Sequence, residues 1–160
     1  MISKDQHQEW LANPTGKISK GSYCSSCARF NARAVAVNAI LRDGNKVLLV
    51  KRGEEPDLGW WDIPGGYLDW NETLEEGASR ELHEETGLIV DPNTFSLIGT
   101  FSNPNNKAKN QAVDLYYITT HFSGEILIDG EEILEANWFE IDNLPENVAF
   151  DHRLILEKLF

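Results

Sequence analysis

The sequence predicts an α/β domain, with a mixed sheet covered by helices on its faces, on three observations. Strand-like apolar runs stand before, between and after one central helical stretch, and a second helical stretch follows the last of them. The third is composition: 160 residues, 41% hydrophobic and 25% charged, suffice for one globular domain that buries its own core.

Residues 1–31 are polar, with turn formers at Asn13-Pro14, Gly16 and Gly21 and no sustained apolar period, so they read as an N-terminal arm leading into a domain over 32–160. The first expected strand carries Ala34, Val35, Val37, Ile40 and Leu41; Asp43-Gly44 makes a turn, and Val47 to Val50 resume as its partner. Further strands are expected over 95–101, 113–122, 125–128 and 137–141. The central helix spans 73–86, opened by the capping box Thr73-x-x-Glu76 and stopped by Gly87. A terminal helix over 151–160 carries Leu154, Ile155, Leu156 and Leu159. Polar loops at 105–111 and 129–132 are placed to rim a pocket.

The charge balance narrows the partners. Lys plus Arg number 14 against 26 Asp plus Glu, a formal net charge of −12, which opposes binding to nucleic acid or to anionic membranes. A polyanionic small molecule needs a divalent metal or a local basic patch. No apolar run is long enough to span a membrane, and the stretch from Met1 to Trp10 is too polar for a signal peptide, so a cytoplasmic location is expected. Cys24-x-x-Cys27 is half a tetrahedral zinc site without a second pair at ligand spacing; a reduced thiol pair is expected, and zinc is not.

The central helix carries charge where its apolar face should be. At about 100° per residue, Leu74, Ala78 and Leu82 form one stripe. Glu85 falls within it, Glu81 at its edge, and Glu84 beside Glu81. Carboxylates facing a core require a cation. Arg80 can pair with Glu84 or reach back to Glu72, but one guanidinium cannot neutralise Glu81, Glu84 and Glu85 together. Mg²⁺ or Mn²⁺ suits such oxygen donors and works on substrate phosphates, and a carbonyl of Gly65-Gly66 could join the set. The alternative is a salt-bridged, exposed helix.

The stretch from Gly66 to Leu88 resembles the Nudix hydrolase box, G-x5-E-x7-R-E-U-x-E-E-x-G-U with U a bulky aliphatic residue. Gly66, Glu72, Arg80, Glu81, Leu82, Glu84, Glu85, Gly87 and Leu88 fill every specified position. The likeness extends to the strand pair of residues 35–52, the approach Gly59-Trp60-Trp61-Asp62-Ile63-Pro64, and Asn137-Trp138-Phe139 to Leu144-Pro145. The resemblance implies an α/β/α sandwich with a central mixed sheet. It also implies Mg²⁺- or Mn²⁺-dependent hydrolysis of a nucleoside diphosphate linked to another moiety, by water attack at phosphorus. Glu81, Glu84 and Glu85 would bind metal with the Gly66 carbonyl, Glu72 and Arg80 would form a structural ion pair, and a homodimer follows from family habit. The general base would be Glu81 or, from the loop, Glu132 or Glu131.

Substrate choice lies outside the box. Pro104, sixteen residues after Leu88, resembles a feature of ADP-ribose pyrophosphatases. Dinucleotide pyrophosphatases of the family carry four cysteines and an S-Q-P-W-P-F-P stretch; this chain has Cys24 and Cys27 and Phe101-Ser102-Asn103-Pro104. Trp60 and Tyr67 offer stacking faces, and Arg52, with Lys51, Lys107 and Lys109, offers positive charge. The expected substrate is ADP-ribose or a nucleotide sugar. The alternatives are a nucleoside triphosphate or dinucleotide pyrophosphatase, or a nucleotide-binding sensor of the same fold without turnover.

Overall fold

The computed structural model describes residues 23–24, 29–30, 33–103, 112–128 and 130–159. Two short strands, β1 (Tyr23–Cys24) and β2 (Arg29–Phe30), pair antiparallel within the N-terminal arm. The sheet proper is built from β3 (Val35–Asp43), β4 (Lys46–Arg52), β5 (Trp61–Asp62), β6 (Gly65–Tyr67), β7 (Ser96–Phe101), β8 (Val113–Thr119) and β9 (Ile133–Glu140). Helix α1 (Leu74–Thr86) lies between β6 and β7, and α2 (His152–Leu159) follows β9.

The sheet is mixed. β3 runs parallel to β8 and antiparallel to β6, and β8 is antiparallel to β7. β4 is flanked by β5 and β9, both antiparallel. Among the described residues these two groups pair through the β3–β4 hairpin, at Arg42–Val47 and Asp43–Lys46, where Gly44 takes a left-handed φ of 58°.

Period-two alternation divides the core into two layers. Val37, Ala39 and Leu41 of β3 face α1 and pack with Ala78, Leu82 and Tyr117. Ile40, with Val47, Leu49 and Tyr116, packs under Ile155 and Leu156 of α2 on the other face. The result is helix, sheet, helix. None of the described helices is long and apolar enough to cross a membrane.

The expected strand over 125–128 is not one. Its Leu127 N–H is captured by the carbonyl of Thr86 at the end of α1 (2.8 Å), and while Ile126 packs against the core, Leu127 and Ile128 stay exposed. Conversely, β9 begins at Ile133, ahead of the expected 137, because β4 offers partners as far as Arg52. β5 and β6, two and three residues long and too short to carry a pattern, exist through pairing with β4 and β3.

Candidate active site

Helix α1 begins at Thr73, whose hydroxyl accepts from the Glu76 N–H (3.3 Å) while the Glu76 carboxylate accepts from the Thr73 N–H (2.7 Å). It ends at Gly87, with φ 73°, where Leu127 packs so closely that a Cβ would stand 2.9 Å from it. Leu82 and Ala78 are fully buried, which fixes the rotation of the helix and turns Glu81 and Glu85 toward β6.

Arg80 organises the outer carboxylates. Its Nε and Nη2 donate to the two oxygens of Glu72 (2.9 and 2.7 Å), Nη2 also to the Tyr67 carbonyl (3.1 Å), and Nη1 to Glu81 Oε1 (2.8 Å) and Glu84 Oε2 (3.0 Å). Glu72 also accepts from the Asp69 N–H (2.8 Å), so the pair ties the loop before α1 to the helix. The Arg80 hydrogen bond holds the Glu72 carboxyl below its ordinary range, against an opposing effect of burial.

Glu85 receives no such partner. Its one hydrogen bond among the described residues comes from the Gly65 N–H (3.1 Å). Burial, followed by the charge of Asp62, pushes its proton affinity well up; Gly65 opposes, and Glu81 and Glu132 add to the rise. Glu81 is also shifted upward, chiefly by burial, with Arg80 opposing and Glu84 and Glu132 adding. Its carboxyl lies against Gly66, where a Cβ would meet Glu81 Cδ at 2.5 Å. Glycine at 66 is what lets backbone and carboxylate approach.

Glu132 belongs to the loop before β9, whose carbonyl accepts from the Gly53 N–H (2.7 Å). A recess of about 30 Å³ is lined by Glu85, Glu132, Asp62, Arg52 and Glu54. Among the described residues no three His, Cys, Asp or Glu side chains converge closely enough to hold an ion, and Arg80 engages both Glu81 and Glu84. The donor set nonetheless fits a hard divalent cation in kind: three box carboxylates, one of them half-buried and held by a single backbone N–H, beside a glycine backbone.

A larger cavity of about 240 Å³ adjoins this recess and shares Arg52 and Asp62 with it. Tyr67 and Gly66 reach its wall; Trp60, 41% exposed, does not line it. Arg52 is committed: Nη1 donates to Asp62 Oδ2 (2.9 Å), Nε to the Pro56 carbonyl (2.8 Å), and its guanidinium stacks 4.9 Å from the Phe150 ring centre. Lys51 pairs with Glu135 (2.7 Å). Pro104, Lys107, Lys109 and the side chains of Cys24 and Cys27 lie outside the described residues.

Sequence reasoning missed Asp62, Asp114 and His152. Asp62 is buried and accepts from Arg52, from the Ile63 N–H (2.9 Å) and from His152 Nδ1. Burial pushes its carboxyl up, but His152 and Arg52 together outweigh that and hold it low. The available signal was an aspartate inside the apolar run Trp60 to Pro64; its histidine partner lies 90 positions away.

The site thus joins a carboxylate-lined helix on an α/β/α sandwich to a glycine backbone against it and a cavity alongside. The NUDIX domain pattern matches residues 32–159, and the chain belongs to the Nudix hydrolase family. An ADP-ribose pyrophosphatase from Methanocaldococcus jannaschii is 40% identical over 124 residues, 78% of this chain and 71% of that protein. NAD-capped RNA hydrolases NudC, such as that of Escherichia coli, are 29% identical over 76% of this chain, which spans 46% of their length. Among solved structures, a MutT NUDIX hydrolase from Burkholderia pseudomallei superposes with a TM-score of 0.74 at 28% identity, covering 81% of this chain and 99% of that one. The NUDIX domain of Shewanella oneidensis NrtR complexed with ADP ribose has a TM-score of 0.68 at 28% identity, covering 98% and 96%.

Proposed function

We propose that the chain is a divalent-metal-dependent pyrophosphatase that hydrolyses ADP-ribose, with Mg²⁺ or Mn²⁺ as its metal. The observation that carries the substrate is the 40% identity to an ADP-ribose pyrophosphatase across most of both chains. The NUDIX domain complexed with ADP ribose supports it.

Glu81, Glu84, Glu85 and the Gly66 carbonyl would hold the metal. When bound, it supplies neutralisation of pyrophosphate charge and acidifies water for attack at phosphorus. The chain's own residues do the rest. Glu72, through Arg80 and the Asp69 N–H, fixes the loop between β6 and α1, and Arg80 holds the Tyr67 carbonyl at the end of β6. Arg80 also orients Glu81 and Glu84 through its hydrogen bonds to both. A carboxylate accepts the proton of the attacking water, and the candidates are Glu81 and Glu132, both within electrostatic reach of Glu85. Cleavage of the anhydride of ADP-ribose gives AMP and ribose 5-phosphate.

The test is phosphate release, coupled to a phosphatase, across ADP-ribose, dinucleotides, nucleotide sugars and nucleoside triphosphates, with and without Mg²⁺ or Mn²⁺. Metal-dependent turnover with ADP-ribose preferred is the expected outcome. No turnover of any compound, alongside nucleotide-induced thermal stabilisation, would establish the sensor reading instead.

A further inference from the structure

Among the described residues two that are not glycine take a left-handed φ, Asp57 at 62° and Phe150 at 53°. They lie 93 positions apart, and they meet: the Phe150 N–H donates to Asp57 Oδ2 (3.1 Å). Aspartate tolerates this conformation better than most residues, whereas a bulky aromatic holds it only where its surroundings impose it.

Those surroundings come from one stretch of chain. The segment entering α2 pairs with β5, the Trp61 N–H donating to the Asn147 carbonyl (2.8 Å) and the Ala149 N–H to the Trp61 carbonyl (2.7 Å). Asp57 takes the next N–H, that of Phe150, and two residues on His152 Nδ1 meets Asp62. The loop after β4 is itself closed, with the Gly59 N–H on the Arg52 carbonyl (2.9 Å) and the Trp60 N–H on the Asp57 carbonyl (3.0 Å), so Asp57 has a firm base. Between the two runs stands the Arg52 guanidinium, stacked on the Phe150 ring and bonded to Pro56 and Asp62. The Phe150 ring also meets that of His152 edge-on, 5.6 Å between centres.

Arg52, Phe150 and His152 reach the wall of the 240 Å³ cavity, while Asp57 lines neither that cavity nor the carboxylate recess. The box glutamates are fastened separately, by Arg80 and the Gly65 N–H. Freeing Phe150 from its left-handed turn would therefore let its ring and the Arg52 guanidinium shift together and leave the carboxylates in place.

We propose that Asp57 is a positioning residue, whose carboxylate holds Phe150 in the left-handed turn and thereby keeps Arg52 and His152 in the arrangement that accepts substrate. Asp57 itself touches no substrate. The inference rests on the pyrophosphatase reading above, and the two fail separately.

The experiment compares the wild type with Asp57→Gly, which suits a φ of 62° but removes the acceptor, and Asp57→Asn, which keeps an acceptor oxygen and tolerates the turn. It measures kcat and KM for ADP-ribose with Mg²⁺, the Kd of ADP-ribose in EDTA by calorimetry, and exchange of the Phe150 amide by NMR. In Asp57→Gly, KM and Kd are expected to rise about tenfold with kcat within about threefold, because the binding-competent arrangement becomes a minor one while the carboxylates are untouched. Asp57→Asn should stay within about twofold of the wild type in all three constants, and the Phe150 amide should be protected in both of these and unprotected in Asp57→Gly. KM and Kd of Asp57→Gly within twofold of wild type, a loss confined to kcat, or an Asp57→Asn as impaired as Asp57→Gly would each overturn the assignment. A Phe150 amide unprotected in the wild type overturns it without any variant. A wild type that binds ADP-ribose in an Asp57-dependent way without turning it over overturns the enzymatic reading alone, and one that neither binds nor turns it over overturns both.

Discussion

Glu85 sits on a helix position that its neighbours Leu82 and Ala78 mark as core, and its carboxylate is compensated by a single backbone N–H. Such a placement is costly to the fold and marks a candidate functional residue. Glu85→Gln should therefore lower kcat by orders of magnitude while the variant folds normally, measured by turnover and thermal unfolding. The pH dependence has a definite sign. Because the native carboxyl binds its proton more tightly than the unfolded chain, its charge destabilises the metal-free protein increasingly as pH rises above about 4.5. In EDTA, the melting temperature of Glu85→Gln should gain on the wild type from pH 5 to pH 8; a pH-independent difference would contradict the placement. This residue was legible from helical period and charge alone. Asp62 and His152 were not, because their hydrogen bond joins the short strand β5 to the terminal helix, and no local pattern encodes a contact 90 residues apart.

At the level of elements, α1 was legible because its signals agree: capping box, apolar stripe and glycine stop. The short strands β5 and β6 and the non-strand at 125–128 were not, since tertiary partners decide them. The loop bearing Glu132 depends on one such partner. A Cβ on Gly53 would collide with the Glu131 carbonyl and stand 2.9 Å from that of Glu132, and both are backbone atoms that cannot turn aside. Gly53→Ala should push the loop off the end of β4 and break the Gly53–Glu132 hydrogen bond. With Glu132 as base, Gly53→Ala and Glu132→Gln should both lower kcat by about 10²-fold or more with smaller changes in KM. Near-normal turnover of Glu132→Gln assigns the base to Glu81. Leu82→Ala acts differently: it empties a fully buried site between α1 and the sheet, at a cost of about 2–5 kcal/mol in denaturant unfolding.

Across the whole molecule, two strand groups joined by one hairpin place the carboxylate recess and the larger cavity side by side, with Arg52 and Asp62 in both walls. A chain of net charge −12 handles a polyanion through local compensation, and the three box glutamates would supply it only once a cation is present. The fold class and the box were readable because they rest on local periodicity and spacing. The cavity was not, being assembled from β3, β8, α2 and the segment after β4. The most direct measurement is ADP-ribose hydrolysis by the wild type and by Glu85→Gln, with Mg²⁺ and with EDTA, following AMP and ribose 5-phosphate. Stoichiometric AMP and ribose 5-phosphate from the wild type with Mg²⁺ only, and loss by orders of magnitude in Glu85→Gln, is the predicted result. Turnover that persists in EDTA, or in Glu85→Gln at a wild-type rate, would contradict it.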